Sequence, residues 1–523
     1  MSPTTPNKPL ILVALLLAAF MINLDTTIVN VALPTLVRQL DASTVQLEWI
    51  VDAYNLLFAA LVLAAGNLGD RVGRKGVLLA GLVLFGASSF AGGLGNSPGE
   101  LIAARAVMGI GAALIFPATL SLLTNVFTER RQRARAIGLW GASTGVGIAV
   151  GPIIGGWLLE HFSWPSVFFA LVPFAAAAAM LVALAVPTSR DPEAPPADRH
   201  GLLLSTAAMS ALIYTIIEAP NRGWAAALSI AGFVAAAVLL AAFVAWERHV
   251  REPMLDVALF RNLRFSAASG AVTITFFSLM GFIFVITLYF QFLKGYGPLS
   301  TGVRLLPVAT MTGITSVLGT RLAVESGTKL VVAGGMVCLA IGLAWASTSS
   351  TSTSYLTIAG SMVFIGSGIG LTSAPATESI MGAVSAAKAG VGSAVNDATR
   401  ITGATLGVAV IGSIYASIYA SRLAESLPAG IPGSIADSAQ RSVGTAFGIA
   451  AQLDAAGRPT VARQLHEAAS NAFFDGFQIA VLVAVAITLV GAVAAAILIP
   501  SQPPQTACEP LEISGSRVSP QRP

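Results

Sequence analysis

A few ionisable groups stand inside or at the edge of long apolar runs, and they are where chemistry could be done. Asp25 lies deep in the first run, in the stretch LDTTIVNVALP from Leu24 to Pro34. A carboxylate at bilayer depth costs at least about 2.5–3.5 kcal/mol on insertion scales, so it faces a cavity or a partner. It can also shed that cost by binding a proton, which makes it a candidate for proton exchange. A structural bond to a neighbouring helix is the other reading, with Thr27 and Asn30 nearby to form such bonds. Arg105, in LIAARAVMGIGAA, is the clearest intramembrane arginine and must find an acceptor in the interior. Asp52, in WIVDAYNL from Trp49 to Leu56, is either an interfacial charge or a group that meets a proton or a cation. Asp397 and Arg400 are spaced for an i,i+3 ion pair at the inner end of their helix. Glu218 and Asp475 read as outer-interface groups.

Two glycine patterns mark the backbone around these groups. From Gly138 to Gly156 the chain reads GLWGASTGVGIAVGPIIGG. Gly147, Gly151 and Gly155 recur every fourth residue, on one helix face, where the lack of a side chain lets a second helix approach closely. Pro152 removes one intrahelical hydrogen bond beside that stripe and is expected to bend the helix. Gly403 and Gly407 repeat the small-xxx-small spacing. The second pattern is Gly66-Asn67-Leu68-Gly69-Asp70-Arg71-Val72-Gly73-Arg74-Lys75. Its glycines permit a sharp turn, Asp70 can accept bonds from a helix N-terminus or an arginine, and Arg71, Arg74 and Lys75 anchor it on the inner side.

These groups need membrane helices to hold them, and the composition supplies them. The 523 residues are 55% hydrophobic and only 10% charged, with a mean hydropathy of +0.79. Soluble domains carry about 25% charged residues. The apolar residues come in runs near 20 long, enough to cross about 30 Å of hydrocarbon, and without the alternation of a β-barrel. The chain is therefore an all-α integral membrane protein. Fourteen spans are expected, near 10–33, 49–69, 77–96, 101–123, 136–159, 166–187, 201–219, 224–246, 265–292, 302–323, 329–347, 355–376, 391–420 and 472–499. The first run shows no convincing cleavage site and reads as a retained helix. Most Lys and Arg fall in alternate loops, which places both termini on the cytoplasmic side.

A faint repeat shows in the turns. Gly319, Arg321, Gly327 and Lys329 echo the basic turn at 66–75, which suggests six helices, two inserted helices and six more. The expected units are 1–187, 188–264, 265–500 with an outer segment at 421–470, and a disordered cytoplasmic tail at 501–523. The outer segment is rich in Ala, Gly and Ser; a tolerated loop is the simpler reading, a short amphipathic helix the other.

Other chemistries find little support. No GxxxxGK[ST] loop is present, so ATP is not the evident energy source. The four His lie at span ends or in loops without metal-ligand spacing, and no nucleophile elbow points to an enzyme. Cys338 and Cys508 suggest no disulfide framework. No nucleic-acid partner is expected, because the net charge of +4 serves topology.

Taken together, the motifs resemble the fourteen-helix drug:proton antiporter branch of the major facilitator superfamily, over most of the chain from Asp25 onward. The stretch Gly138, Gly147, Gly151-Pro152, Gly155-Gly156 resembles the fifth-helix signature of its proton-coupled exporters. The Asp25 run resembles its first-helix motif, and Trp49-Ile50-Val51-Asp52-x-Tyr54 resembles exporters of quaternary-ammonium compounds. Gly66–Lys75 matches the family loop that latches the outward-open state, which implies gating for Asp70, Arg71 and Arg74. Arg105 matches the fourth-helix arginine tied to proton coupling, although Met108 stands where Gln is usual. The PMLDVALFRN stretch before the ninth span fits too, and related exporters often carry an acid at the Asp397 position. The resemblance implies two six-helix bundles plus two inserted helices, a proton gradient with no cofactor, and export of amphipathic, cationic drugs or dyes across the cytoplasmic membrane by a monomer. A dedicated exporter of an endogenous metabolite or lipid shares these features. A non-transporting sensor fits less well with Asp25, Arg105 and the glycine stripe all present.

Overall fold

The computed structural model describes residues 7–190, 198–251, 253, 257–382, 389–427 and 431–500. The expected tail, with Cys508, lies outside the described residues, as do the side chains of Asn67, Asp70 and the arginines at 130, 131, 133 and 135, and the surroundings of Gly138.

The described chain is helical. The first part comprises α1 (Lys8–Leu40), α2 (Thr44–Val72), α3 (Arg74–Gly93), α4 (Pro98–Val126), α5 (Arg130–His161), α6 (Ser166–Phe169) and α7 (Leu171–Ala185). The middle holds α8 (Arg199–Arg222) and α9 (Ala227–Glu247). The last part comprises α10 (Leu263–Leu288), α11 (Pro298–Arg304), α12 (Leu306–Ser326), α13 (Thr328–Ser347), α14 (Tyr355–Gly382), α15 (Ala389–Ser426), α16 (Gly433–Arg441), α17 (Val443–Ala455) and α18 (Pro459–Leu498). Among the described residues, fourteen spans are long and apolar enough to cross a membrane, counting α6–α7 and α11–α12 as one span each. The protein is thus a multi-pass membrane protein with two six-helix bundles and an inserted pair. Within the first bundle α1 packs on α5 and α2 on α4; within the second, α10 packs on α15 and α12 on α14.

The turn after α2 shows how sequence sets the fold locally. A single residue, Gly73 at φ +129°, joins α2 to α3. That backbone region is open to glycine and strained for other residues. Lys75 Nζ then donates to the Ala183 carbonyl at 2.8 Å, and the Arg74 N–H donates to Ser189 O at 2.9 Å, tying the turn to the end of α7. The echoed turn is built alike: Gly327, at φ +88°, alone joins α12 to α13. These two turns mark the basic end of the molecule, and the far end lies opposite.

Two expectations need correction. The segment 421–470 is largely helical. α15 runs on to Ser426, α16 and α17 follow, and α18 starts at Pro459, not near 472. Ser442 caps α17 by accepting from the Thr445 N–H at 3.1 Å, and Ala439, Val443 and Ala446 are buried. Thr44 Oγ1 donates to the Arg441 carbonyl, so this segment lies over the far end. The second span also begins earlier than expected, at Thr44. A reciprocal capping box between Ser43 and Gln46 fixes its start and brings Glu48 inside the helix.

Candidate functional site

A cavity of about 650 Å³ lies between the two bundles. The first bundle lines it with Asn23, Thr26 and Asn30 of α1, Asn55 and Phe58 of α2, and Trp140 of α5. The second lines it with Met280, Thr312, Ser373, Asp397 and Arg400. Phe58, Phe116 and Trp140 form an aromatic wall, with ring centroids 5.8 and 5.1 Å apart. Arg400 lies over the Phe276 ring at 4.7 Å. The walls are mostly apolar with a few convergent polar groups, the usual character of a small-molecule site.

The cavity tapers, and the glycines show which way. A Cβ built on Gly156 would collide with Leu299, and one on Gly302 with the Pro152 carbonyl. Here, at the far end, α5 of one bundle and α11 of the other touch backbone to backbone. Glu160 Oε1 accepts from the Leu299 N–H at 3.2 Å, and Gln291 Nε2 donates to the Val31 carbonyl at 2.8 Å. Gln291 sits in a single π-helical turn, Tyr289–Leu293, that ends α10. Toward the basic end, a Cβ on Gly141, Gly145 or Gly313 meets nothing within 4 Å. The bundles form a wedge, closed at the far end and parted at the basic end.

The glycine stripe of α5 packs inside its own bundle. Gly147 abuts Phe20 and Asn23, Gly151 abuts Leu24 and Thr27, and Gly155 abuts Ile28, all on α1. Pro152 stands within an α5 that runs on from Arg130 to His161. Gly156, next along, faces the other bundle. The stripe therefore sets the position of the helix that carries Asp25.

Asp25 and Arg105 meet. Arg105 Nη1 donates to both carboxylate oxygens of Asp25, at 2.8 and 2.7 Å, with side-chain exposures of 1% and 0%. Arg105 Nε donates to the Ile50 carbonyl at 3.0 Å, and the guanidinium lies 4.2 Å from the Tyr54 ring centroid. Gly109 admits the Tyr54 backbone against α4, which lets α2 close over this pair. Asp25 is off the cavity lining, one layer behind it. Thr27 and Asn30 bond backbone carbonyls of their own helix, and so do not hold Asp25.

The other predicted groups fall in different places. Asp397 and Arg400 share the cavity wall. Asp52 is fully buried, and neither carboxylate oxygen has a hydrogen-bond partner among the described residues, so it is no interfacial charge. Glu218 accepts from Trp49 Nε1 at 3.4 Å and lies 3.9 Å from Arg222; Asp475 pairs with Arg422 at 3.4 Å with half its surface exposed. Of the basic turn, Arg71 is exposed. Gly66 faces Pro117 at an ordinary contact of 3.6 Å.

Sequence reasoning missed Glu48. Its side chain is fully buried and accepts from Ser413 Oγ at 2.9 Å, and among the described residues Oε1 has no partner. The signal that could have found it was the capping box, which starts the helix one turn before the apolar run.

This is the architecture of a carrier whose two bundles enclose a central site. The chain belongs to the Major Facilitator Superfamily, whose sequence profile matches residues 15–408. It is 34% identical over 489 residues to the multidrug efflux pump LfrA of Mycolicibacterium smegmatis, covering 93% of this chain and 96% of that protein. It is 34% identical over 405 residues to the multidrug resistance protein Stp of Mycobacterium tuberculosis (77% and 75% covered). It is 32% identical over 406 residues to the methyl viologen resistance protein SmvA of Salmonella typhimurium (77% and 81%). The fold is similar to a bacterial homologue of the human lysosomal transporter Spinster in its inward-facing, unoccupied conformation, with a TM-score of 0.63, 16% identity, and 94% and 98% of the two chains covered.

Proposed function

We propose that this protein is a proton-coupled multidrug exporter of the cytoplasmic membrane, with the basic end and both termini in the cytoplasm. The observation that carries this reading is the mostly apolar cavity between the bundles, closed at the far end, in a chain whose relatives are efflux and resistance proteins. Such a site suits amphipathic molecules. The aromatic wall offers stacking and cation–π contacts, and Asp397 offers one carboxylate.

The proton enters through Asp25. Ionised, it holds Arg105 by two hydrogen bonds, and Arg105 in turn holds the Ile50 carbonyl of α2. A proton on Asp25 removes the charge that grips the guanidinium, so α1, α2 and α4 can shift against one another. Coupling thus runs through the packing behind the cavity rather than through contact with the drug. The units 1–187 and 265–500 rock about the central site, and Asp70, Arg71 and Arg74 latch the basic end when it closes. The chain needs no cofactor and works as a monomer.

The test is ethidium efflux from energised cells, wild type against Asp25→Asn, with and without a protonophore. Efflux that collapses with the protonophore and is lost in the variant is expected. Efflux indifferent to the protonophore would sink the proton mechanism. No efflux of any cationic dye from correctly inserted protein would shift the reading to a dedicated exporter of a metabolite or lipid.

A further inference from the structure

Glu48 occupies a position that the coupling pair does not explain. It sits one turn inside the far end of α2, in the seam where α2 of the first bundle meets α15 of the second. Gly412 makes room for it: a Cβ there would stand 2.8 Å from the Glu48 carboxyl carbon. The next residue, Ser413, gives Glu48 its one hydrogen bond, at 2.9 Å, so the contact joins the two bundles directly.

The charges around Glu48 make it a poor place for an anion. Asp52, also fully buried and without a hydrogen-bond partner among the described residues, lies one turn deeper on the same helix face, where two ionised carboxylates would repel. From α8 comes another acid, Glu218, with Arg222 3.9 Å from it. α15 brings no charge at this level: Arg422 is nine residues from Ser413, and Arg400 and Asp397 are farther. α4 contributes Arg105, which is held by Asp25 and the Ile50 carbonyl, and α16 contributes Arg441, whose backbone carbonyl is bonded by Thr44. Among the described residues Glu48 has no ion pair, and Oε1 has no hydrogen-bond partner. A buried, unpaired carboxylate is costly enough that such a group is kept as the neutral acid.

We propose that Glu48 is a second proton-binding site, and that its protonated form clasps α2 to α15 and closes the far end. When the bundles part there, Glu48 meets water and ionises; an acidic far-side solution reloads it and lets the seam close. The closed form thus holds one proton more than the open form, and the open-to-closed ratio rises with pH by up to about tenfold per unit. This inference rests on the alternating movement proposed above.

The experiment places spin labels at Leu94 and Ser352, exposed sites beyond the far ends of α3 and α13, after removal of Cys338 and Cys508. Interspin distances are measured in nanodiscs from pH 5 to 8. In the wild type the longer, far-end-open distance is expected to grow with pH. Glu48→Gln, neutral at every pH, is expected to stay predominantly closed and to lose most of that dependence. Ser413→Ala is expected to shift the ratio toward the open form several-fold under acidic conditions. A Glu48→Gln protein that opens with pH as the wild type does would overturn the clasp, and so would a Ser413→Ala protein indistinguishable from wild type. A wild type with one distance at all pH values, with and without ethidium, would overturn both the clasp and the alternating movement; a wild type that opens only with ethidium would overturn the clasp alone.

Discussion

Arg105 and Asp25 are a buried pair with almost no exposure, and their energetics divide structure from coupling. Removing one partner of such a pair leaves an uncompensated buried charge and costs about 3–5 kcal/mol, while replacing both with apolar groups of similar volume is often neutral. Arg105→Met alone should therefore lower the thermal unfolding midpoint in detergent clearly. The double variant Asp25→Leu, Arg105→Met should recover most of that loss, yet remain without drug efflux, because no group is left there to take a proton. Asp397 stands differently, on the cavity wall. Asp397→Asn should weaken binding of a cationic substrate by about tenfold, roughly 1.4 kcal/mol, and leave a neutral one unchanged, as read by equilibrium binding. At this scale the sequence was informative where an ionisable residue interrupted an apolar run, as at Asp25 and Arg105. It was silent on their meeting, because the partners lie 80 residues apart. It left Asp52 between two readings and overlooked Glu48, because the residues packed on Glu48, Gly412 and Ser413, come from α15, far along the chain.

Helix α5 is the element on which the two bundles are fitted. Its glycine stripe was legible from spacing alone, but the surface it meets was not: α1 of the same bundle takes Gly147, Gly151 and Gly155, whereas Gly156 faces the opposite bundle. These positions should respond differently to the same change. A side chain at Gly302 or Gly156 strikes backbone across the far-end closure, so Gly302→Val should favour the far-end-open form and abolish efflux while the protein still inserts. Gly145→Ala meets nothing within 4 Å and lines the cavity. It should fold normally and lose only the bulkier substrates, which a panel of dyes of graded size would show. The helices of 433–455 were only the second reading of the sequence because their burial depends on α18 first, and on α1 and α15, which lie elsewhere in the chain.

For the whole molecule, the wedge shape sets what must move. The far end closes through backbone contacts and a few bonds between bundles, so it opens only if those separate together. A cysteine pair at Glu160 and Leu299, after removal of the native cysteines, puts two thiols where the Glu160 carboxylate accepts from the Leu299 N–H across the closure, and oxidation should join them. Efflux should stop in the oxidised protein and return on reduction. The fold at this scale was almost wholly readable: the count of fourteen spans, the paired turns at Gly73 and Gly327, and the inserted pair all follow from the order of apolar runs and glycines.

The inserted pair makes the carrier lopsided. α8 lies along the seam between α2 and α15, bonded to the first bundle through Trp49 and Glu218, while Trp224 beyond its far end donates to Ser417 of the second bundle at 3.0 Å. That flank is walled by protein rather than by acyl chains. The opposite flank, between α5 and α12, carries Gly141, Gly145 and Gly313, where an added Cβ would meet nothing within 4 Å. The inserted pair thus leaves this carrier with unlike flanks, one faced with helices and the other bordered at its glycines by open space.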